Sequence, residues 1–158
     1  MKNSFQSHLL KGLITIFIVL SLIGIIFVRP LLTAFGLESY PEMEPVALFL
    51  QLGTQLLLAL FILGLVLIIY LLILFDKGQV FSHNFTKALN TISILCFVAV
   101  IGLMIMIVIV TPYGGPGPSI YFLIALILTI IIIGLALSMF SKVINQAIEY
   151  KLENELTV

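Results

Sequence analysis

Hydropathy places this chain among all-α membrane proteins: four transmembrane helices in an antiparallel bundle, with a cytoplasmic amphipathic C-terminal helix extending the fourth span. The strongest sign is the run from Ala88 to Ser141, 54 residues without one Asp, Glu, Lys, Arg or His. The core of a small soluble domain cannot hide that length, whereas about 20 apolar residues at about 1.5 Å rise each cross a bilayer core. The run is therefore two spans, divided by the turn formers from Thr111 to Pro118. Composition agrees, at 62% hydrophobic, 9% charged and a mean hydropathy of +1.33, where a soluble domain carries about 25% charged residues. Charge placement is the third sign, because six of the seven basic residues fall at alternate span boundaries.

The first span covers about 9–35 and is densest from Leu13 to Val28. Lys2 and Lys11 precede it, and Ala34-Phe35-Gly36 loosely resembles a cleavage site. Its apolar stretch exceeds the roughly 7 to 15 residues of a signal-peptide h-region, so a retained helix is expected. The second span, about 46–75, is free of charge. The third and fourth are about 88–110 and 119–141. Leu, Ile, Phe and Val each favour insertion by about 0.3 to 0.6 kcal/mol at a helix centre, which leaves the segment Ile92 to Val110 a surplus of several kcal/mol. No repeat or linker divides the chain, so 1–158 reads as one membrane domain, and its short outer turns make neighbouring helices antiparallel.

Orientation follows from the lysines. Lys2 and Lys11 precede span one, Lys77 and Lys87 separate spans two and three, and Lys142 and Lys151 follow span four; Arg29 alone lies on the other side. By the positive-inside rule, both termini and the middle loop face the cytoplasm. Glu38, Glu42 and Glu44 then fall outside. Tyr40, Tyr113 and Tyr121 sit near the outer boundary and Tyr70 near the inner one, where amphipathic rings belong.

The ingredients of chemistry are scarce, and no enzyme is expected. His8 and His83 share no HExxH or CxxC spacing with other ligands, so neither a metal site nor another cofactor is expected. No ionisable residue lies at mid-membrane depth to mark an ion path. Cys96 has no partner for a disulfide and reads as a small buried hydrophobe. Zero net charge gives no basic surface for direct nucleic-acid binding. Gln51 and Gln55, four apart on one helix face, would line an outward polar crevice or make an interhelical hydrogen bond worth about 0.6 kcal/mol. Glu42 and Glu44 follow no calcium-loop spacing, and the segment Gly36 to Pro45 is expected to be a solvated loop. Ser21, Gly24, Gly53, Gly64, Gly102 and Gly134 are read as packing grooves that permit close helix approach within the bundle, although a homo-oligomer surface could use the same residues.

Two inner segments carry more. Between spans two and three, Gly78 suits a helix end, Ser82 or Asn84 a helix start, and Phe81 and Phe85 the headgroup level. After span four, Phe140, Val143, Ile144, Ala147, Ile148, Leu152 and Leu156 recur at spacings of mostly three and four, the period of an amphipathic helix. Its acidic end, Glu153 and Glu155, opposes strong attachment to anionic lipid as a surface anchor. Docking of a partner, or packing on its own bundle, is the favoured role. The candidate docking residues are Phe81, Ser82, Asn84, Ile148, Leu152, Glu153, Glu155 and Leu156.

The same segments carry a family resemblance. Gly78, Val80, Phe81, Ser82 and Asn84, followed by Leu89 and Ile92, resemble the middle signature of the bacterial membrane family termed domain of unknown function 2975. The ending Glu153-Asn154-Glu155-Leu156-Thr157-Val158 is similar to that family's close. In one respect the chain departs: the family pattern is more basic after Asn84, whereas Lys87 stands alone, which argues against a basic cytoplasmic site. The resemblance implies four spans in the bacterial cytoplasmic membrane and a cytoplasmic helix-turn-helix regulator as partner, but no assigned activity. Three functional classes follow. The first is a non-enzymatic interaction or sensing component paired with such a regulator. The second is an accessory or immunity-type protein, acting through a transporter complex or against a secreted peptide by way of the loop Glu38 to Glu44. The third is a transporter or enzyme acting alone, and Gln51 and Gln55 would have to carry it.

Overall fold

A computed structural model of the chain describes the backbone of residues 2–37, 41–113 and 119–156, and the side chains of 5–34, 41–113 and 120–153. Glu38, Tyr40 and the end at Thr157 and Val158 lie outside the described residues, as do 114–118. Four helices account for most of the rest: α1 (Lys2–Leu31), α2 (Ala47–Asp76), α3 (His83–Val110) and α4 (Ser119–Leu156). Every regular element among the described residues is helical. Each of the four contains a segment long and apolar enough to cross a membrane.

Local sequence explains where the helices change. Pro30 lies in the last turn of α1 and lacks the N–H that would close a helical bond. The chain continues as a π-helical segment, Leu32–Leu37, and the Thr33 hydroxyl donates to the carbonyl of Pro30 at 2.8 Å. Part of the segment expected as a solvated loop is instead a short 3-10 helix, Pro41–Val46. Its Met43 and Val46 are buried against Val110, with Leu50 and Ile109 packed around them. Glu42 and Glu44 remain exposed, so this helix closes the end of the α2–α3 pair near Val110 with its apolar side.

Packing follows chain order. Among the described residues the main interhelical interfaces are α1 with α2, α2 with α3 and α3 with α4; no comparable interface joins α1 to α4. The helices therefore form an open row rather than a closed ring. Cross-links set the registers. Ser7 near the start of α1 donates to Asp76 at the end of α2 at 2.8 Å, and Lys11 makes an ion pair with the same carboxylate. Gln55 Nε2 donates to the Ile25 carbonyl at 3.2 Å. Gly53 faces Met106 and Gly102 faces Leu57 at the α2–α3 contact. Between α3 and α4, Ser93 Oγ donates to the Gly134 carbonyl at 2.7 Å and Ser141 Oγ to the Thr86 carbonyl at 3.0 Å.

Burial is inverted relative to a soluble protein. Ile26, Phe27, Val108, Phe122, Ile132 and Met139 are exposed along the spans. The buried polar side chains are small, namely Ser7, Ser21, Thr86, Ser93 and Ser141, and no buried side-chain polar atom among the described residues lacks a partner. A surface this apolar is consistent with a multi-pass membrane protein whose spans face lipid.

Candidate functional site

The turn between α2 and α3 is fixed at both ends by hydrogen bonds that its residue types supply. Gly78 has φ +69, the left-handed conformation that a glycine tolerates without strain. Around it the Gly78 amide donates to the Phe75 carbonyl and the Gln79 amide to that of Leu74, each at 2.9 Å. This pair of bonds is a Schellman ending. Four residues later Ser82 caps α3: its hydroxyl accepts from the Phe85 amide at 3.3 Å and donates to the Gln79 carbonyl at 2.7 Å. The turn hands α3 its starting position with little freedom.

That position brings the first two turns of α3 against α4. Thr86 is 2% exposed, its hydroxyl donates to the His83 carbonyl, and its own carbonyl receives the Ser141 hydroxyl. Beside this contact lies a cleft of about 370 Å³. From α3 it is lined by His83, Thr86, Lys87 and Asn90, and from α4 by Ser138, Ser141, Lys142 and Asn145. Both sets recur at i, i+3, i+4 and i+7, the spacing that puts four side chains on one helix face. Every lining residue is polar, two are lysines and none is a carboxylate. Lys87 and Lys142 have no carboxylate partner among the described residues.

Lys87, which stands alone in the sequence, is therefore not alone in the fold. The 54 uncharged residues begin directly after Lys87 and end directly before Lys142, and the α3–α4 hairpin folds those two ends onto each other. The signal legible beforehand was the matched polar recurrence at both ends of the run.

The other candidates are distributed as follows. Phe81 is 63% exposed, Asn84 is exposed, and Ser82 is committed to the cap. On α4, Ile148 is half-buried, while Leu152 and Glu153 are exposed. Glu155 and Leu156 continue the helix, their side chains outside the described residues. Carrying the Thr86–Ser141 register onward brings Asn145 level with Ser82. The residues from there to Leu156 run past the start of α3 for roughly 16 Å at 1.5 Å each. Gln51 and Gln55 are half-buried, and the Gln55 amide is engaged by α1. No group of three His, Cys, Asp or Glu converges among the described residues.

A family model described as "Protein of unknown function (DUF2975)" matches residues 31–158, which include all of α2, α3 and α4. No curated protein and no solved structure matches the chain.

Proposed function

The chain belongs to the family of unknown function DUF2975, and from that premise we propose that it is a non-enzymatic component of the bacterial cytoplasmic membrane whose inner end docks a cytoplasmic regulator. The observation that carries this reading is the unbroken length of α4. Its 38 residues measure about 57 Å at 1.5 Å each, against a hydrocarbon core of about 30 Å. The excess forms a helix beyond α3 that carries exposed Tyr150 and Leu152, next in sequence to half-buried Ile144, Ala147 and Ile148. Leu152 continues the stripe of Ile144 and Ile148 at i+4 spacing, so an apolar stripe that is half-buried nearer the bundle is bare towards the far end of the helix, which suits groove docking. The family resemblance makes a small helix-turn-helix regulator the expected partner.

The reading requires antiparallel spans with Lys2 and the α4 extension on the cytoplasmic side. Support comes from the contacts of the first turns of α1 with the end of α2, and of the first turns of α3 with α4 from Ser138 to Asn145, which gather Lys11, Lys87 and Lys142 at one end of the row. In a Cys96→Ala background, Ser82→Cys is expected to resist a membrane-impermeant maleimide in intact cells, while Glu42→Cys reacts. The opposite labelling pattern refutes the orientation.

Docking is tested by affinity purification from membranes of the full chain and of a version ending at Ile148. The full chain is expected to retain a helix-turn-helix protein, and the shortened one to lose it at equal membrane abundance. Equal recovery of every cytoplasmic protein by both forms would rule out tail docking.

A further inference from the structure

We propose that the cleft between α3 and α4 binds a phosphate group, presented by the headgroup of an anionic phospholipid. The inference needs the spans to be in a membrane and is independent of the regulator. Depth is the first argument. Lys87 and Lys142 are the first charges on either side of a charge-free hairpin, so both ammonium groups reach the level where apolar chain gives way to lipid phosphates. Charge is the second. Two lysines share a cleft that contains no carboxylate, and neither is neutralised by one among the described residues. A basic pocket between transmembrane helices at the membrane surface is the setting in which acidic headgroups bind.

The remaining lining fits the same anion. The cleft opens beside the first turn of α3, where the helix dipole adds positive potential. Thr86 and Ser141 spend their hydroxyl protons on backbone carbonyls, so they shape the cleft rather than bind through it. Asn90, Ser138 and Asn145 line it with no protein hydrogen bond from their side chains among the described residues, leaving donors for phosphate oxygens. A volume of about 370 Å³ lies within the range of small-ligand pockets, about 300 to 1,000 Å³. Lysine ammonium groups, as compact point charges, suit a phosphodiester whose orientation is set by its lipid.

The test is lipid capture by the purified full chain from mixed micelles of equimolar phosphatidylglycerol and phosphatidylcholine, read by native mass spectrometry. The intact protein is expected to prefer phosphatidylglycerol by on the order of tenfold. Lys87→Gln with Lys142→Gln should reduce that preference to within about twofold, the remainder being the general surface potential. Lys87→Arg with Lys142→Arg should keep it, and so should Lys77→Gln with Lys151→Gln, which removes the same charge elsewhere. Equal loss in both Gln pairs would overturn the proposal, as would an unchanged preference in the cleft pair. Inorganic phosphate forms the second arm. If it binds the intact protein but not the cleft pair, and no lipid preference is seen, the anion is soluble and the lipid assignment fails.

Discussion

Replacing Ile132 by lysine is expected to disfavour insertion of α4 by roughly 3 kcal/mol, since lysine at a span centre costs about 2.5 to 3.5 kcal/mol and isoleucine contributes a few tenths the other way. Ile132 is 66% exposed and lies near the middle of the uncharged part of α4. The environment decides the sign. On a soluble protein, lysine at such an exposed position changes stability by about 0.5 kcal/mol or less. In lipid the same exposure is what makes the ammonium costly, because no protein group is near to replace its water. An insertion reporter carrying 119–141 should shift from mostly inserted towards uninserted with Ile132→Lys. Thermal unfolding of the full chain in lipid nanodiscs should weaken in parallel. Gln146→Lys, exposed beyond the span, should do neither. An unaltered reporter would remove α4 from the membrane.

The second large effect is expected at Gly134. A Cβ there would stand 3.1 Å from the Cys96 Cβ and 3.6 Å from the Ser93 carbonyl oxygen. The first of these atoms is held directly by the α3 backbone, so the neighbour cannot swing aside as the thioether of Met106 can opposite Gly53. Gly134→Leu must part α3 from α4. It should lower stability by about 2 to 3 kcal/mol through overpacking, and it strains the Ser93 to Gly134 hydrogen bond as well. The thermal midpoint in nanodiscs should fall by several degrees. Gly64→Leu is the control, since nothing lies within 4 Å of a Cβ at that position and leucine is a better helix former. Its midpoint should hold or rise. Because the α3–α4 contact also builds the cleft, Gly134→Leu is expected to weaken lipid selectivity without changing any charge.

The ends of the α2–α3 turn were legible because capping is local. Gly78 and Ser82 announce a helix stop and a helix start through their own backbone and side-chain chemistry, and both are found in those roles. Met43 and Val46 were not legible. In sequence they belong to a loop rich in Pro and Glu, and only the arrival of Val110 from the far end of α3 makes their burial favourable. Gln55 stood between two readings until α1 supplied the Ile25 carbonyl. The lone Lys87 argued against a basic site, and the fold reverses that argument by bringing up Lys142.

Four spans, their approximate limits and the asymmetry of their charged ends were determined by the sequence, because transfer into lipid adds up residue by residue over a window about 20 long and needs no knowledge of neighbours. Which helix meets which, and at what register, was decided by the tertiary structure alone. In lipid no hydrophobic force selects a partner, so the choice falls to close fits at Gly53, Gly102 and Gly134 and to a few hydroxyl and amide contacts. Those fits join residues some 30 to 55 positions apart, and the same contacts turn two isolated lysines into one cationic cleft.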